Sequence, residues 1–322
     1  MTRELLLLRH GKSDWDQIVK DFDRPLKDRG KRAAQQVGQW LKDNQLIPDL
    51  LLSSPAARAI DTARKCVRTL GLAAELIQQD EDIYEASVPE LLQVLGRCPA
   101  EAQRVLMVGH NPGFEELVAW LLGEGLEMPE DGKLMPTATL ARLQLPDDWS
   151  ALESGCAKLL AQVRPRQLPK QFPFNTDEGI EYRDRPAYYY SQSAVIPYRI
   201  KDGEVQILLV SSSANRHWVV PKGIQEPGLS AEDSAIKEAL EEAGVLKGKI
   251  TGAELGRYSY NKWGGRCEVR VFALKVDKLI ADKQWGSAQR ERKWVPSSKI
   301  AGYLKQPELA DLALELARQL NP

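Results

Sequence analysis

Among 322 residues there are only four cysteines, Cys66, Cys98, Cys156 and Cys267, far apart, with no Cys-x-x-Cys pair and no histidine at metal-ligand spacing. That pattern excludes a zinc knuckle and a disulfide framework, and it suits free thiols in a reducing compartment. Charge of one sign is lacking too, since 44 Lys and Arg stand against 45 Asp and Glu and neither half of the chain is a basic tail. Dedicated nucleic-acid binders are usually strongly basic, so nucleic acid is not an expected partner. Long apolar runs are also missing. The opening run stops at Leu5–Leu8, too short for a signal-peptide core or a bilayer span, so no membrane partner is expected and a cytoplasmic location is. Internal repeats and low-complexity tracts are absent.

What is present is enough chain for two domains, with 43% hydrophobic and 28% charged residues, the balance of an ordinary globular protein. In the first half, short apolar runs end at once in polar, Gly-containing or Pro-containing turns: Leu5–Leu8 before Arg9-His10-Gly11, Leu50–Leu52 before Ser53-Ser54-Pro55, and Val105–Val108 before Gly109-His110-Asn111-Pro112. They read as buried strands ending in functional loops. Amphipathic stretches lie between them, with Ala33, Val37, Trp40 and Leu41 on one helical face and Phe114, Leu117, Val118 and Leu121 on another. Alternating strand and helix predicts an α/β sheet with parallel strands, whose ligands gather at the strands' carboxyl ends. Prolines at 165, 169, 173 and 186 interrupt a stretch without sustained periodicity. The expected division is therefore a domain over 1–170, a linker over 171–186 and a second domain over 187–322. The second is strand-rich apart from a helix over Ser230–Ala243.

The three strand ends of the first domain deliver two imidazoles, His10 and His110, and two guanidiniums, Arg9 and Arg58, toward one region. Arg9-His10-Gly11-Lys12-Ser13-Asp14-Trp15, with Arg24-Pro25-Leu26 and Gly30, resembles the histidine phosphatase superfamily and is most similar to its small SixA-type branch. The resemblance spans about residues 1–170. It implies a three-layer α/β/α fold in which His10 accepts a phosphoryl group and Arg9, Arg58 and His110 surround its oxygens, with Ser13 and Asn111 as further contacts. A neutral imidazole is a competent nucleophile, and arginine offers a permanently charged planar fork to phosphoryl oxygens, so no metal is expected here. Glu85 is the candidate general acid, with Asp14 behind it; a solvated surface carboxylate is the other reading of Glu85.

In the second domain Glu238, Glu241 and Glu242 fall at i, i+3 and i+4, which places three carboxylates on one helical face, with Ile236, Leu240 and Ala243 expected opposite. Ser230 with Asp233 caps the helix start and Gly244 suits its end. Like charges gathered without basic partners favour a hard cation, magnesium or manganese. Residues 223–245 resemble the Nudix box, G-x5-E-x7-R-E-U-x-E-E-x-G-U, with Leu229 in place of the first Glu and Lys237 in place of the Arg. That implies an α/β/α Nudix fold, with Glu238, Glu241 and Glu242 as metal ligands and Glu238 catalytic. The flanks, 208–223 and 290–295, are similar to those of diphosphoinositol polyphosphate and diadenosine polyphosphate hydrolases. By that resemblance Arg199, Ser212, Ser213, Arg216 and Lys222 hold phosphates, while a polar hairpin is the alternative for the serines.

Together the resemblances imply a bifunctional hydrolase of dinucleoside polyphosphates or inositol pyrophosphates, with an enzyme that sanitises oxidised nucleotides as an alternative. Two other readings stay open: a phosphatase acting on a phosphohistidine protein, and a Nudix half that senses a ligand without cleaving it.

Overall fold

The computed structural model describes residues 2–212, 217–282, 284–285 and 290–320. Its contacts divide the chain into two compact units, Met1–Phe172 and Pro173–Pro322. Among the described residues no helix is long and apolar enough to cross a membrane.

The first unit is built on a mixed sheet. Its elements run β1 (Arg3–Arg9), α1 (Asp28–Asp43), β2 (Leu50–Ser53), α2 (Ala57–Leu70), β3 (Ile77–Gln79), α3 (Val88–Gly96), β4 (Arg104–Gly109), α4 (Gly113–Leu122), β5 (Leu140–Leu145) and β6 (Lys158–Val163). The strands lie in the order β3-β2-β4-β1-β5-β6. Four of them, β3, β2, β4 and β1, are parallel as the alternating pattern predicts. The other two depart from it: β5 runs antiparallel to β1, and β6 antiparallel to β5. No helix crosses over between β5 and β6, and without a crossover consecutive neighbouring strands pair antiparallel.

Strand alternation sorts the core into two faces. Leu5, Leu7, Leu50 and Leu52 pack with Leu91 and Leu95 of α3 and Phe114 and Leu117 of α4. Leu6, Leu8 and Leu51 pack with Val37 and Leu41 of α1 and Ala63 and Val67 of α2. The result is three layers, α/β/α, with β1, β2 and β4 ending side by side.

The loop after β1 is held by a close backbone approach. Asp14 N–H donates to the Pro25 carbonyl at 2.8 Å and Lys27 N–H to the Lys12 carbonyl at 2.9 Å. A Cβ on Gly11 would lie 2.7 Å from the Gly30 carbonyl oxygen, and one on Gly30 would lie 2.4 Å from that of Lys12. Both glycines are therefore required by space.

A hairpin, β7 (Phe172–Thr176) and β8 (Gly179–Arg183), paired as a two-stranded sheet, spans the division and opens the second unit. It lies where the sequence predicts a linker. Arg183 stacks 3.4 Å over the Phe174 ring, which meets the buried Tyr190 edge-on at 5.4 Å, so cation–π and aromatic contacts order a segment whose prolines read as irregular. Then follow β9 (Ser191–Lys201), β10 (Glu204–Ser211), β11 (Trp218–Val219), β12 (Lys222–Ile224), α5 (Ala231–Ala243), β13 (Val245–Ile250), β14 (Gly256–Lys262), β15 (Gly265–Leu279), β16 (Arg292–Pro296) and α6 (Pro307–Leu320). The central path is β11-β10-β9-β15-β13, with β9 and β15 parallel and β12, β14 and β16 paired alongside. Helix α5 covers one face, over Val195, Leu208 and Phe272, and α6 the other, over Ile196, Ile207 and Val271.

Helix α5 starts and stops where the capping residues predict: Ser230 Oγ accepts the Asp233 amide and Gly244 is left-handed at φ 66°. Its buried face differs from expectation. Ala231, Ala235, Ala239 and Ala243 meet the sheet, while Ile236 and Leu240 stay 39% and 41% exposed. The four-residue alanine spacing lets the helix sit close, which larger side chains would prevent.

Gly30→Ala is expected to destabilise the first unit by about 2 kcal/mol, an overpacking cost, and to lower any activity that depends on His10. Thermal unfolding and turnover of the variant test this; unchanged values for both would show that the loop yields freely.

Candidate functional site

The ends of β1, β2 and β4 open on a cavity of about 270 Å³ lined by Arg9, His10, Lys12, Ser13, Trp15, Arg24, Arg58, His110, Asn111 and Thr137. The structure thus brings together Arg9, His10, Ser13, Arg58, His110 and Asn111, all singled out in the sequence. His10 is buried, and its Nδ1–H donates to the Gly11 carbonyl at 2.7 Å, which leaves the Nε2 lone pair free. Burial lowers the His10 pKa to about 4 against the pull of the Gly11 bond, and Arg58, Arg9 and Arg24 lower it further. The ring is neutral at physiological pH.

His110 stands 5.1 Å from His10, centroid to centroid. Burial, then His10 and Arg58, lower its pKa to about 3. Ser54 Oγ is 2.9 Å from His110 Nε2 and already accepts the Ala56 amide, so its own proton is available to that nitrogen. With Nε2 accepting, Nδ1 carries the hydrogen, and it is buried without a partner.

The arginines share this condition. Nε of Arg9, Arg24 and Arg58 is buried and unpartnered, although their outer nitrogens are engaged. Arg9 Nη1 donates to the Met135 carbonyl at 2.7 Å. Asp21 holds the other two, at 2.5 Å from Arg24 and 2.8 Å from Arg58, and also accepts Tyr84 Oη–H at 3.1 Å. Burial works against the Asp21 charge, but Arg58, the tyrosine bond and Arg24 hold its carboxyl below the usual range. Around one neutral imidazole, four buried N–H groups from four residues therefore lack acceptors. An unmade buried hydrogen bond costs about 1–3 kcal/mol, and a tetrahedral oxyanion supplies the missing acceptors.

Sequence reasoning missed Asp21, Arg24, Thr62 and Tyr84. Thr62 Oγ1 accepts the Gly11 amide at 2.9 Å and donates to the Arg58 carbonyl at 2.7 Å, tying the His10 loop to α2. Arg24 stands within the motif that carries the resemblance and Thr62 lies four residues after Arg58; Asp21 and Tyr84 have no sequence signal beyond proximity to such residues. Glu85 is exposed, outside the cavity lining, and left-handed at φ 53°. It makes no hydrogen bond or ion pair among the described residues. Asp14 is bound by the Asp16 amide at 3.1 Å and Lys27 at 3.3 Å, and it too lies outside the lining.

In the second unit α5 presents Glu238, Glu241 and Glu242. A Cβ on Gly223 would lie 1.8 Å from Glu238 Oε1, so that glycine leaves room for the carboxylate. Burial raises the Glu238 pKa to about 7, reinforced by Glu242, Glu241 and Glu226. Burial also raises Glu242, although the Lys222 amide donates to it at 3.1 Å and Arg290 approaches to 2.5 Å. Lys222 lies beside this pair, its own pKa lowered by burial. Lys237, standing for the box arginine, pairs with Glu226 at 2.9 Å. Glu226 thus gives Lys237 a carboxylate three positions before Leu229, a pairing that the box pattern does not reveal.

Carboxylates that repel one another and bind protons tightly fit a hard divalent cation in kind. As the side chains stand, no three His, Cys, Asp or Glu groups converge on one point among the described residues, and Glu242 is paired with Arg290. Arg199 is not brought there; it bonds Gln206 at 2.9 Å and stacks over Trp294 at 4.2 Å. Ser212 donates its amide to the His217 carbonyl at 2.8 Å. Ser213 and Arg216 lie outside the described residues.

Two family models match the chain. The model of the histidine phosphatase superfamily, branch 1, matches residues 5–91, and that of the NUDIX domain matches residues 191–317. An uncharacterized protein of Mycobacterium tuberculosis is 31% identical over 163 residues, 49% of this chain and 100% of its own. Nudix hydrolase 4 of Arabidopsis thaliana is 32% identical over 149 residues, 42% of this chain and 69% of its own. The solved structure of the protein histidine phosphatase SixA complexed with tungstate is 24% identical, covering 51% of this chain and 98% of its own at a TM-score of 0.43. The chain thus joins two domains, an N-terminal one that matches the histidine phosphatase superfamily, branch 1, and a C-terminal one that belongs to the Nudix family.

Proposed function

We propose that the chain is a bifunctional phosphohydrolase: its Nudix part cleaves a phosphoanhydride of a dinucleoside polyphosphate or inositol pyrophosphate, and its phosphatase part removes a terminal phosphate through a phosphohistidine at His10. The set of four unpartnered donors around His10 carries the second half of this reading. The Nε2 lone pair attacks phosphorus, the bond to the leaving oxygen breaks, and the phosphoryl oxygens accept the N–H groups of Arg9, Arg24, Arg58 and His110 as charge spreads over them. Water then attacks the phosphohistidine, releasing phosphate and restoring the imidazole. The leaving oxygen needs a proton, and Glu85 is the free carboxylate beside Tyr84, whose ring meets His110 at 5.4 Å.

In the Nudix part Glu238, Glu241 and Glu242 would hold magnesium or manganese, which when bound polarises phosphate oxygens. Lys222 and Arg290 place positive charge beside the same carboxylates, suited to a phosphate chain. Small phosphorylated nucleotides are the substrates that the Nudix family suggests. Cleavage of an anhydride leaves a terminal phosphate, which is what the His10 cavity accepts, so the two activities fall in sequence within one cytoplasmic chain.

A product-resolved assay tests the sequence with magnesium, diadenosine polyphosphates and inositol pyrophosphates. His10→Ala is expected to accumulate a phosphorylated intermediate that wild type consumes, while Glu242→Gln or chelation of the metal prevents its formation and spares hydrolysis of an aryl phosphate. If Glu242→Gln changes no activity, the Nudix part is a binding module and the sequential reading is wrong.

Because His10 is neutral down to about pH 4, the kcat/KM for an aryl phosphate, corrected for substrate ionisation, is expected to stay level from pH 8 to pH 5 and to fall only as pH drops toward 4. A limb near 6.5, the ordinary imidazole value, would contradict the buried nucleophile. Glu85→Gln is expected to slow poor leaving groups by about 10²-fold and spare activated aryl phosphates. Equal loss on both classes would remove Glu85 from the acid role.

A further inference from the structure

At about 270 Å³, the His10 cavity is small beside ordinary ligand sites, which run from about 300 Å³ upward. Much of a larger substrate must lie outside it. A groove of about 430 Å³ adjoins it, and Lys12 and Thr137 line both.

Five basic residues line this groove, Lys12, Arg29, Lys133, Arg164 and Arg166, against one acidic residue, Asp131. Asp131 accounts for two of them, at 2.6 Å from Arg164 and 3.2 Å from Arg166. Arg164 also donates to the Lys133 carbonyl, so the buried guanidinium fixes the turn that carries Lys133. Lys12, Arg29 and Lys133 make no ion pair among the described residues. A second observation is independent of charge: Thr139, also in the lining, is fully buried, yet its Oγ1 has no hydrogen-bond partner. Burying a hydroxyl without a partner costs about 1–3 kcal/mol, so its placement on a basic groove marks a position where a bound oxygen is accommodated.

We propose that this groove is a second anion subsite of the phosphatase part, taking a phosphoryl group of the substrate other than the one transferred to His10. The substrate class is then a small molecule with at least two phosphoryl groups, one in the His10 cavity and one between Arg29, Lys133 and Thr139. This rests on the phosphatase reading of the His10 cavity. It also gives Lys12 a place, as the cation between the two phosphoryl positions. A monophosphate fills only the first position and gains nothing from the groove.

The test uses the full chain and inhibition of aryl phosphate hydrolysis by two probes, orthophosphate and inorganic tripolyphosphate, in magnesium-free buffer. Arg29→Ala/Lys133→Ala is compared with Lys42→Ala/Lys158→Ala, which removes the same charge from exposed positions outside the groove. In wild type, tripolyphosphate is expected to inhibit about tenfold more tightly than orthophosphate, the worth of one charge-assisted hydrogen bond. The groove variant should lose that advantage with its orthophosphate inhibition and aryl phosphate kinetics unchanged, and the control variant should keep it. Thr139→Val, which preserves shape and removes the hydroxyl, should weaken tripolyphosphate in the same direction. Equal tripolyphosphate inhibition in wild type and groove variant overturns the subsite, as does an equal loss in the control variant. If wild type fails to turn over aryl phosphates at all, the phosphatase reading has failed instead. Calorimetric binding of tripolyphosphate to wild type and groove variant then decides the groove by itself: weaker binding in the variant supports it, and equal binding overturns it.

Discussion

Positive charge confined in a small buried space is the constraint on which the N-terminal part is organised. Three guanidiniums enter one cavity with two imidazoles, and the arrangement holds because the imidazoles stay uncharged. Burial first, and then the arginines, disfavour a proton on the rings, and neutral rings spare the arginines further repulsion. The nucleophile and the anion-binding charge are thus two consequences of one electrostatic arrangement. Asp21 is its counterweight: outside the cavity lining, it compensates Arg24 and Arg58 through their outer nitrogens and leaves their Nε–H groups without acceptors. The glycine-on-glycine contact beneath the loop then fixes where the imidazole stands.

The Nudix part concentrates charge of the opposite sign. Glu238, Glu241 and Glu242 crowd one face of α5, and the cost appears as a Glu238 proton affinity raised to about 7. Here too a partner stands behind the group that does the work: Arg290 and the Lys222 amide satisfy Glu242, and Lys237 satisfies Glu226. One part is poised to receive an anion and the other a cation.

The strands ending at Arg9, Ser53 and Gly109 were legible because a buried parallel strand writes itself as an uninterrupted apolar run. The α5 boundaries were legible from a capping serine and a left-handed glycine. Three features were not. Antiparallel β5 and β6 carry no motif, and which way a strand runs depends on the connection rather than its composition. The hairpin over 172–183 is ordered by Arg183 stacking on Phe174, a contact between side chains that no period records. Asp21 and Tyr84 reach the cavity region from loops whose course depends on the whole fold, so the sequence names the groups that face substrate better than the groups that hold them. Glu226 belongs with these: the box pattern shows two losses at Leu229 and Lys237, and only the fold shows that the lysine finds another carboxylate.

The alanine stripe of α5 has a consequence beyond packing. Ala231, Ala235, Ala239 and Ala243 set how near the helix axis lies to the sheet, and that nearness brings the Glu238 carboxylate against Gly223. The separation between carboxylates and glycine loop is thereby measured out in methyl groups. A bulkier residue at Ala239 acts as a spacer, lifting the charged face away from the loop while every carboxylate remains in the sequence. Changes in the core of this helix are therefore transmitted as changes in the reach of its surface, and a chain that keeps its whole motif can still lose the geometry that the motif serves.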